Sequence, residues 1–163
     1  MWYINVVRQE VFMGYIIIIA GICIAEHFIK RYVVQHVKPG TRIMNDNITF
    51  HHYHNKGVAL NVLQNHVKVV KIVTGTMIGI LLVMLGWLIG QKKGFLCKLG
   101  LSLMIGGALS NFADRIKNGD VFDYFSVNHG KKLKNIIFNI ADVAVVLGGI
   151  LVAIGEIFCS RNK

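Results

Sequence analysis

The sequence is poor in charged residues, above all in acidic ones. Aspartate and glutamate together account for eight of 163 residues, and only 16% of the chain is charged, whereas a soluble domain carries about a quarter. There is one proline, and the three cysteines, Cys23, Cys97 and Cys159, lie far apart. An odd number of widely spaced cysteines argues against a disulfide framework or a metal knuckle. We therefore expect the cysteines to be packing residues.

Apolar residues are abundant, at 54% of the chain. Four stretches approach the roughly 20 mainly apolar residues that cross a bilayer. They run from Val11 to Ile29, Ile72 to Gly90, Gly94 to Ala113 and Ile136 to Gly155. The first stretch also has features of a cleaved signal peptide, but cleavage would leave an odd number of spans. We predict one membrane domain over residues 1–163 with four spanning helices.

The basic residues leave the orientation open. The net charge is +10. With the N-terminus in the cytoplasm, twelve of the 18 basic residues would lie outside, against the usual excess of basic residues in cytoplasmic loops. The tight Lys92-Lys93 turn between the second and third spans instead favours a cytoplasmic N-terminus. Charge alone therefore does not decide the orientation.

The segments between the spans contain short extended stretches. Residues from Arg42 to Tyr53 predict a hairpin around Asn45-Asp46-Asn47, and Val58 to His66 predict a short interfacial helix. A second extended stretch, Val121 to Val127, follows the turn at Lys117 to Asp120. These pieces predict a small β-platform over the helices.

Several polar side chains interrupt the third and fourth spans. Asn111, Asp114 and Arg115 share a helix face by their spacing, and Asn139 and Asp142 are also three residues apart. Lipid cannot solvate these groups, so both sets are expected to face the bundle interior. For Asp114 and Arg115, the adjacent opposite charges favour a structural ion pair.

Asp123 and Asp142 have no basic neighbour in sequence that would neutralise them. If they meet, repulsion and desolvation make them share a proton near neutral pH. One carboxylate then takes a proton from water while the other protonates a carbonyl oxygen, as in aspartic proteases. Spacing alone is equally consistent with a buried network that joins helices. A proton carrier is a third interpretation, which the polar bridge carrying Asp123 disfavours.

Two further clusters have competing interpretations. His52 and His54 would share one face of a strand and suggest a zinc site, but no acid or cysteine lies within the cluster, which favours solvated histidines. Glu26 precedes Lys30 by one helical turn, so either an ion pair or a lysine reaching toward the interface fits.

The order and spacing of four motifs resemble the lipoprotein signal peptidase (signal peptidase II) family. The matching segments are Asn55-Lys56-Gly57-Val58-Ala59, Gly107 to Arg115, Val121-Phe122-Asp123-Tyr124 and Phe138-Asn139-Ile140-Ala141-Asp142. The resemblance implies an all-α membrane protein, a four-transmembrane-helix bundle with a small extracytoplasmic β-platform and a short interfacial helix. It places the chain in the bacterial cytoplasmic membrane, with the active site near the extracytoplasmic face and both termini cytoplasmic.

The resemblance also implies an activity. It would be a metal-free and cofactor-free aspartyl endopeptidase, with Asp123 and Asp142 catalytic. Its substrates would be prolipoproteins cut just before a cysteine that carries diacylglycerol. Membrane phospholipid and cyclic lipopeptide inhibitors are further implied ligands, and nucleic acid is not one. The supporting or substrate-binding residues would be Asn55, Gly57, Asn111, Asp114, Arg115, Asn139, Glu26 and Lys30.

The chain departs from the family pattern at four positions. Glu26 stands in place of the usual aspartate, and Tyr124 in place of the usual phenylalanine. Leu60 replaces an aromatic residue and Ser110 a glycine. These departures indicate a divergent member, and they leave open a catalytically silent paralogue that binds lipoproteins or lipopeptides.

Overall fold

The structure is a computed structural model that describes residues 2–38, 43–44, 48–57, 63, 65–91, 94–128 and 136–161. The elements in chain order are α1 (Trp2–His36), β1 (Ile43–Met44), β2 (Ile48–Asn55), α2 (Val67–Ile89), α3 (Phe95–Asn118), β3 (Val121–Val127) and α4 (Ile140–Arg161). Each of the four helices is long and apolar enough to cross a membrane. The prediction of four spanning helices is confirmed.

The helices do not coincide with the predicted spans, and two of the differences bear on the polar residues of the bundle. Helix α1 continues past Ile29 to His36 because Val33 and Val37 are buried beneath the sheet, where Phe122 and Tyr124 pack on them. The fourth span was predicted from Ile136, but α4 begins at Ile140.

The later start of α4 has a local cause. The Asn139 side chain accepts a hydrogen bond from the backbone N–H of Asp142 at 2.9 Å. In return, the Asp142 carboxylate accepts one from the backbone N–H of Asn139 at 3.2 Å. This reciprocal arrangement is a capping box, which starts a helix and satisfies two N–H groups. Asn139 therefore precedes the helix rather than lying within it.

The predicted platform is a three-stranded antiparallel sheet in the order β1-β2-β3. Strand β1 pairs with β2 through Ile43 opposite Phe50, which confirms the hairpin, although its turn at 45–47 lies outside the described residues. Strand β2 pairs with β3 from Ile48 opposite Val127 to Asn55 opposite Val121. Most of the interfacial helix predicted at Val58 to His66 also lies outside the described residues.

Helix α3 is the centre of the bundle, since α1, α2 and α4 all pack on it. Its closest approach is to α4, where a Cβ on Gly100 would lie 2.5 Å from the Gly148 carbonyl oxygen. A Cβ on Gly107 would likewise collide with the Ala141 carbonyl. Small residues let two backbones approach closely where lipid supplies no hydrophobic drive for helix association. The Gly107 contact fixes α3 against the first turn of α4.

This packing predicts that Gly148→Ala destabilises the bundle, because the added methyl would lie 2.5 Å from the Gly100 carbonyl oxygen and 2.7 Å from Met104. We expect a loss of about 1–3 kcal/mol, typical of overpacking, measured as a lower thermal midpoint in detergent. Gly149→Ala is the matched control in the same helix, since a Cβ there meets nothing within 4 Å. Equal midpoints for the two variants would contradict the packing argument.

Candidate active site

Asp123 and Asp142 arrive from different elements at one polar centre. Asp123 lies on β3, and Asp142 lies in the first turn of α4. The segment between them is tied to β3, because the Phe138 carbonyl accepts hydrogen bonds from the N–H groups of Tyr124 and Phe125, both at 3.0 Å. The Phe138 N–H donates to the Phe125 carbonyl at 2.8 Å. The cap residue Asn139 is thereby held beside Asp123.

Asn139 joins the two carboxylates. Its side-chain N–H₂ donates to Asp123 Oδ1 at 2.7 Å, while its backbone N–H donates to Asp142 Oδ2. Two other asparagines hold the remaining oxygens: Asn55 donates to Asp123 Oδ2 at 3.0 Å, and Asn111 donates to Asp142 Oδ1 at 2.7 Å. Amide donors on both acids satisfy buried carboxylates without adding a compensating charge.

A further set of contacts orients these asparagines. The side-chain oxygen of Asn55 accepts from the Gly57 N–H at 3.0 Å, and the Gly57 carbonyl accepts from Arg115 Nη2 at 2.7 Å. Arg115 Nη1 also donates to the Asn111 carbonyl at 3.4 Å. The buried guanidinium thus links the loop after β2 to α3.

The predicted ion pair between Asp114 and Arg115 is wrong. Asp114 pairs instead with Lys30 of α1, at 2.7 Å, and Lys30 also pairs with Glu26 at 3.2 Å. Adjacent residues on a helix point in different directions, so Arg115 turns toward Gly57 while Asp114 faces α1. Lys30 is buried, so of the two interpretations left open for Glu26 and Lys30 the structure shows the ion pair.

A cavity of about 540 Å³ opens beside the two aspartates. Its polar end is formed by Asn55, Asn111, Arg115, Asp123 and Asp142. The rest is mainly apolar, from Ala108, Val121, Ile136, Ile137, Phe138, Val145 and Val146, with Thr74 of α2. A site with apolar walls and a few convergent polar groups is typical of a ligand pocket.

Burial controls the acidity of Asp123, which is about 1% exposed. Its pKa is raised from 3.8 to about 7, first because burial disfavours the charged form and second because the Asp142 carboxylate is close. The hydrogen bonds from Asn55 and Asn139 and the charge of Lys30 oppose this shift. Asp123 therefore holds a proton close to neutral pH.

The histidines of β2 form separate contacts. His51 bonds Ser126 Oγ at 2.7 Å, His52 bonds the Val37 carbonyl oxygen at 3.1 Å, and His54 pairs with Asp120 at 2.9 Å. The rings of His52 and His54 do share a face, 5.5 Å apart. Within the part of the chain that the structure describes, no three His, Cys, Asp or Glu side chains are placed to hold a metal ion.

The ten residues predicted for the site all lie within the network of hydrogen bonds and ion pairs around Asp123 and Asp142. Sequence reasoning missed the cap role of Asn139, although Asn-x-x-Asp before an apolar run is a signal for a helix start. It also missed the hydroxyl of Tyr124, which bonds Glu26 and the N–H of Ile140. No sequence signal pointed to the apolar cavity wall at Ile136 and Ile137.

Comparison with known proteins identifies the family. The family described as signal peptidase (SPase) II matches residues 17–158. A lipoprotein signal peptidase of Clostridium tetani is 35% identical over 144 residues, covering 87% of this chain and 90% of that protein. One from Brevibacillus brevis is 35% identical over 159 residues, covering 93% and 99%.

Solved structures agree. A bacterial membrane enzyme determined by the in meso method at 2.3 Å resolution matches with a TM-score of 0.77, 26% identity and coverage of 92% of this chain and 91% of that one. A second, at 1.9 Å resolution, has a TM-score of 0.73 at 25% identity, over 88% and 92%. With its four spanning helices, this chain is a bacterial multi-pass membrane protein and belongs to the signal peptidase II family.

Proposed function

We propose that Asp123 and Asp142 are the catalytic dyad of an aspartyl endopeptidase that removes the signal peptide from prolipoproteins. The observation that carries the proposal is the joint hydrogen bonding of both carboxylates by Asn139 beside a largely apolar cavity. Within the described residues, only amide and backbone N–H groups donate to the two carboxylates, and no cation does. We therefore assign one shared proton to the pair. Family membership supports the protease class, and the dyad is our assignment of its chemistry.

The proposed hydrolysis step begins with one proton on the pair of acids. Asp123 carries the shared proton and gives it to the carbonyl oxygen of the scissile peptide bond. Ionised Asp142 takes a proton from water as the water oxygen bonds to the carbonyl carbon. In the tetrahedral intermediate the C–N bond then breaks, with the proton on Asp142 passing to the leaving nitrogen and that on the new hydroxyl returning to Asp123. The dyad regains its starting state.

The cavity favours a substrate that is partly lipid. Its apolar wall combines Val145 and Val146 of α4 with Ile136 and Phe138, and its polar end holds the dyad. A cysteine carrying diacylglycerol would place acyl chains along such a wall and the peptide bond at the carboxylates. Surrounding phospholipid and cyclic lipopeptides are further ligands of this chemical type.

We disfavour a silent paralogue, because none of the departures Glu26, Ser110 and Tyr124 removes a group bonded directly to either carboxylate.

The function is tested with purified protein and two synthetic lipobox peptides that differ only in the diacylglyceryl group on cysteine. We expect cleavage of the lipidated peptide immediately before the cysteine and no measurable cleavage of the other. Binding of the lipidated peptide without turnover would contradict the proposal and favour a silent binding protein.

We further propose that the site faces the extracytoplasmic side. An even number of spans puts both termini on one side, and the loops bearing the sheet and Asp123 on the other. In a variant lacking Cys23, Cys97 and Cys159, a cysteine at exposed Lys117 should react with a membrane-impermeant thiol reagent in intact cells. A cysteine at exposed Gln91, at the opposite end of the helices, should not. The reverse labelling pattern would overturn this orientation.

The raised pKa of Asp123 predicts a pH dependence. Cleavage should decline as pH rises through about 7, because the dyad then loses the shared proton.

The stability of the folded state should also fall as pH rises, because folded Asp123 retains a proton that the unfolded chain releases near 3.8. The contribution of Asp123 is thus fully present below about 3.8 and is lost as pH rises through about 7. Asp123→Asn should remove this part of the stability slope, and an unchanged slope would contradict the assignment.

A further inference from the structure

We infer that Glu26 and Tyr124 act as one coupled unit that positions the first turn of α4, and with it Asp142. The inference rests on the proposed function of the dyad and assigns these two residues a positioning role, not a catalytic one. Both residues are buried, Glu26 at 0% and Tyr124 at 2% exposure. Neither contacts the cavity beside the aspartates.

The Tyr124 hydroxyl joins three elements. It donates to Glu26 Oε2 on α1 at 2.9 Å and accepts from the backbone N–H of Ile140, the first residue of α4, at 3.2 Å. That N–H is one of the donors a helix N-terminus leaves without an internal partner. Tyr124 follows Asp123 directly on β3, and Ile140 precedes Asp142 by two residues. The same hydroxyl therefore links the strand bearing one aspartate to the helix bearing the other.

Glu26 closes this link through its second oxygen. Glu26 Oε1 pairs with Lys30 at 3.2 Å, and Lys30 donates to Asn111 Oδ1 at 3.4 Å. Asn111 in turn donates to Asp142. Glu26 is thus connected to Asp142 by two chains of contacts. One runs through Tyr124 to the start of α4, and the other through Lys30 and the asparagine that bonds the carboxylate.

Each residue of the pair requires the other. Tyr124 stays protonated, because burial and the charge of Glu26 raise its pKa above the ordinary value of 10, so it remains a donor. With phenylalanine at 124, the buried Oε2 of Glu26 would lose this donor. With aspartate at 26, the carboxylate would fall short of the hydroxyl by about one C–C bond, roughly 1.5 Å. The two departures from the family pattern, separated by 98 positions, therefore compensate each other in space.

The test is a double-mutant cycle on cleavage of the lipidated lipobox peptide. We expect Tyr124→Phe to lower kcat about tenfold with KM within about twofold, and Glu26→Asp to behave similarly. The double variant should be faster than Tyr124→Phe alone, because the shorter side chain withdraws the carboxylate oxygen that loss of the hydroxyl leaves without a donor, and its loss should be smaller than the product of the single losses. Tyr32→Phe is the matched control, since Tyr32 is exposed on α1, and should match wild type.

A second readout does not depend on activity. Amide hydrogen exchange at residues 140–142 should be faster in Tyr124→Phe than in wild type or Tyr32→Phe. Wild-type kcat in Tyr124→Phe, losses that multiply in the double variant, or unchanged exchange would each overturn the inference. If wild type fails to cleave, the proposed function fails, while the exchange result still decides the coupling. If wild type cleaves and Tyr124→Phe is unaffected in both assays, only the coupling fails.

Discussion

Asp123→Asn and Asp142→Asn should each abolish cleavage of the lipidated lipobox peptide, with a loss of about 10⁴-fold or more in kcat, as for removal of other catalytic side chains. Asparagine keeps the size of aspartate but cannot cycle a proton with water or with the leaving nitrogen. The measurement is product formation by the purified variants at saturating substrate. Full activity in both variants would refute the dyad.

A matched control and a binding measurement separate chemistry from folding. Asp120→Asn changes an acid three residues before Asp123 that pairs with His54 and lies outside the cavity, so its activity should stay within about twofold of wild type. Binding of uncleaved peptide in a gel-shift assay should persist in the two dyad variants. Loss of binding together with loss of the folded state would indicate that the substitution had damaged the bundle.

Substitution of Asn139 should have the second-largest effect, because this residue serves both carboxylates and caps α4. We expect Asn139→Ala to lower kcat by about 10²-fold or more, comparable to loss of a key preorganised donor. It should also reduce stability by about 1 kcal/mol through loss of the cap. Both quantities are measured on one preparation, by peptide cleavage and by thermal unfolding.

Asn139→Ser separates the two roles. A serine hydroxyl at this position still accepts the Asp142 N–H as a helix cap, but it lacks the amide that donates to Asp123 at 2.7 Å. Stability should therefore stay near that of wild type while activity falls as far as in Asn139→Ala. A serine variant with near-normal activity would show that the bridge to Asp123 is dispensable.

The sequence was most informative where lipid or water imposes a pattern. Apolar runs predicted four spans, and short extended stretches next to turns, around 42–53 and 121–127, predicted the strands. The cost of polar groups in lipid predicted that Asn111 and Asp142 face inward. These features follow from composition and from the spacing of residue types along the chain. Both can be read from the sequence without the tertiary contacts.

Partner choice was less accessible from sequence. Asp114 lies next to Arg115 in the chain, yet it pairs with Lys30, 84 residues away, because side-chain direction on a helix outweighs proximity in sequence. The same holds for Tyr124 and Glu26, whose contact depends on how α1 passes under the sheet. The spacing of Asn139 and Asp142 matches a capping box, but the apolar residues Ile136 to Phe138 before it placed the predicted start of the span too early.

The attachment of β3 on both sides has a consequence for the proposed catalysis. This strand pairs with β2 along one edge and bridges Phe138 on the other, so Asp123 has little freedom to approach or leave Asp142. The work of bringing two carboxylates together against their repulsion is then done when the chain folds. In the proposed mechanism, a reacting substrate would therefore meet an arrangement that is already set, with little reorganisation in each catalytic cycle.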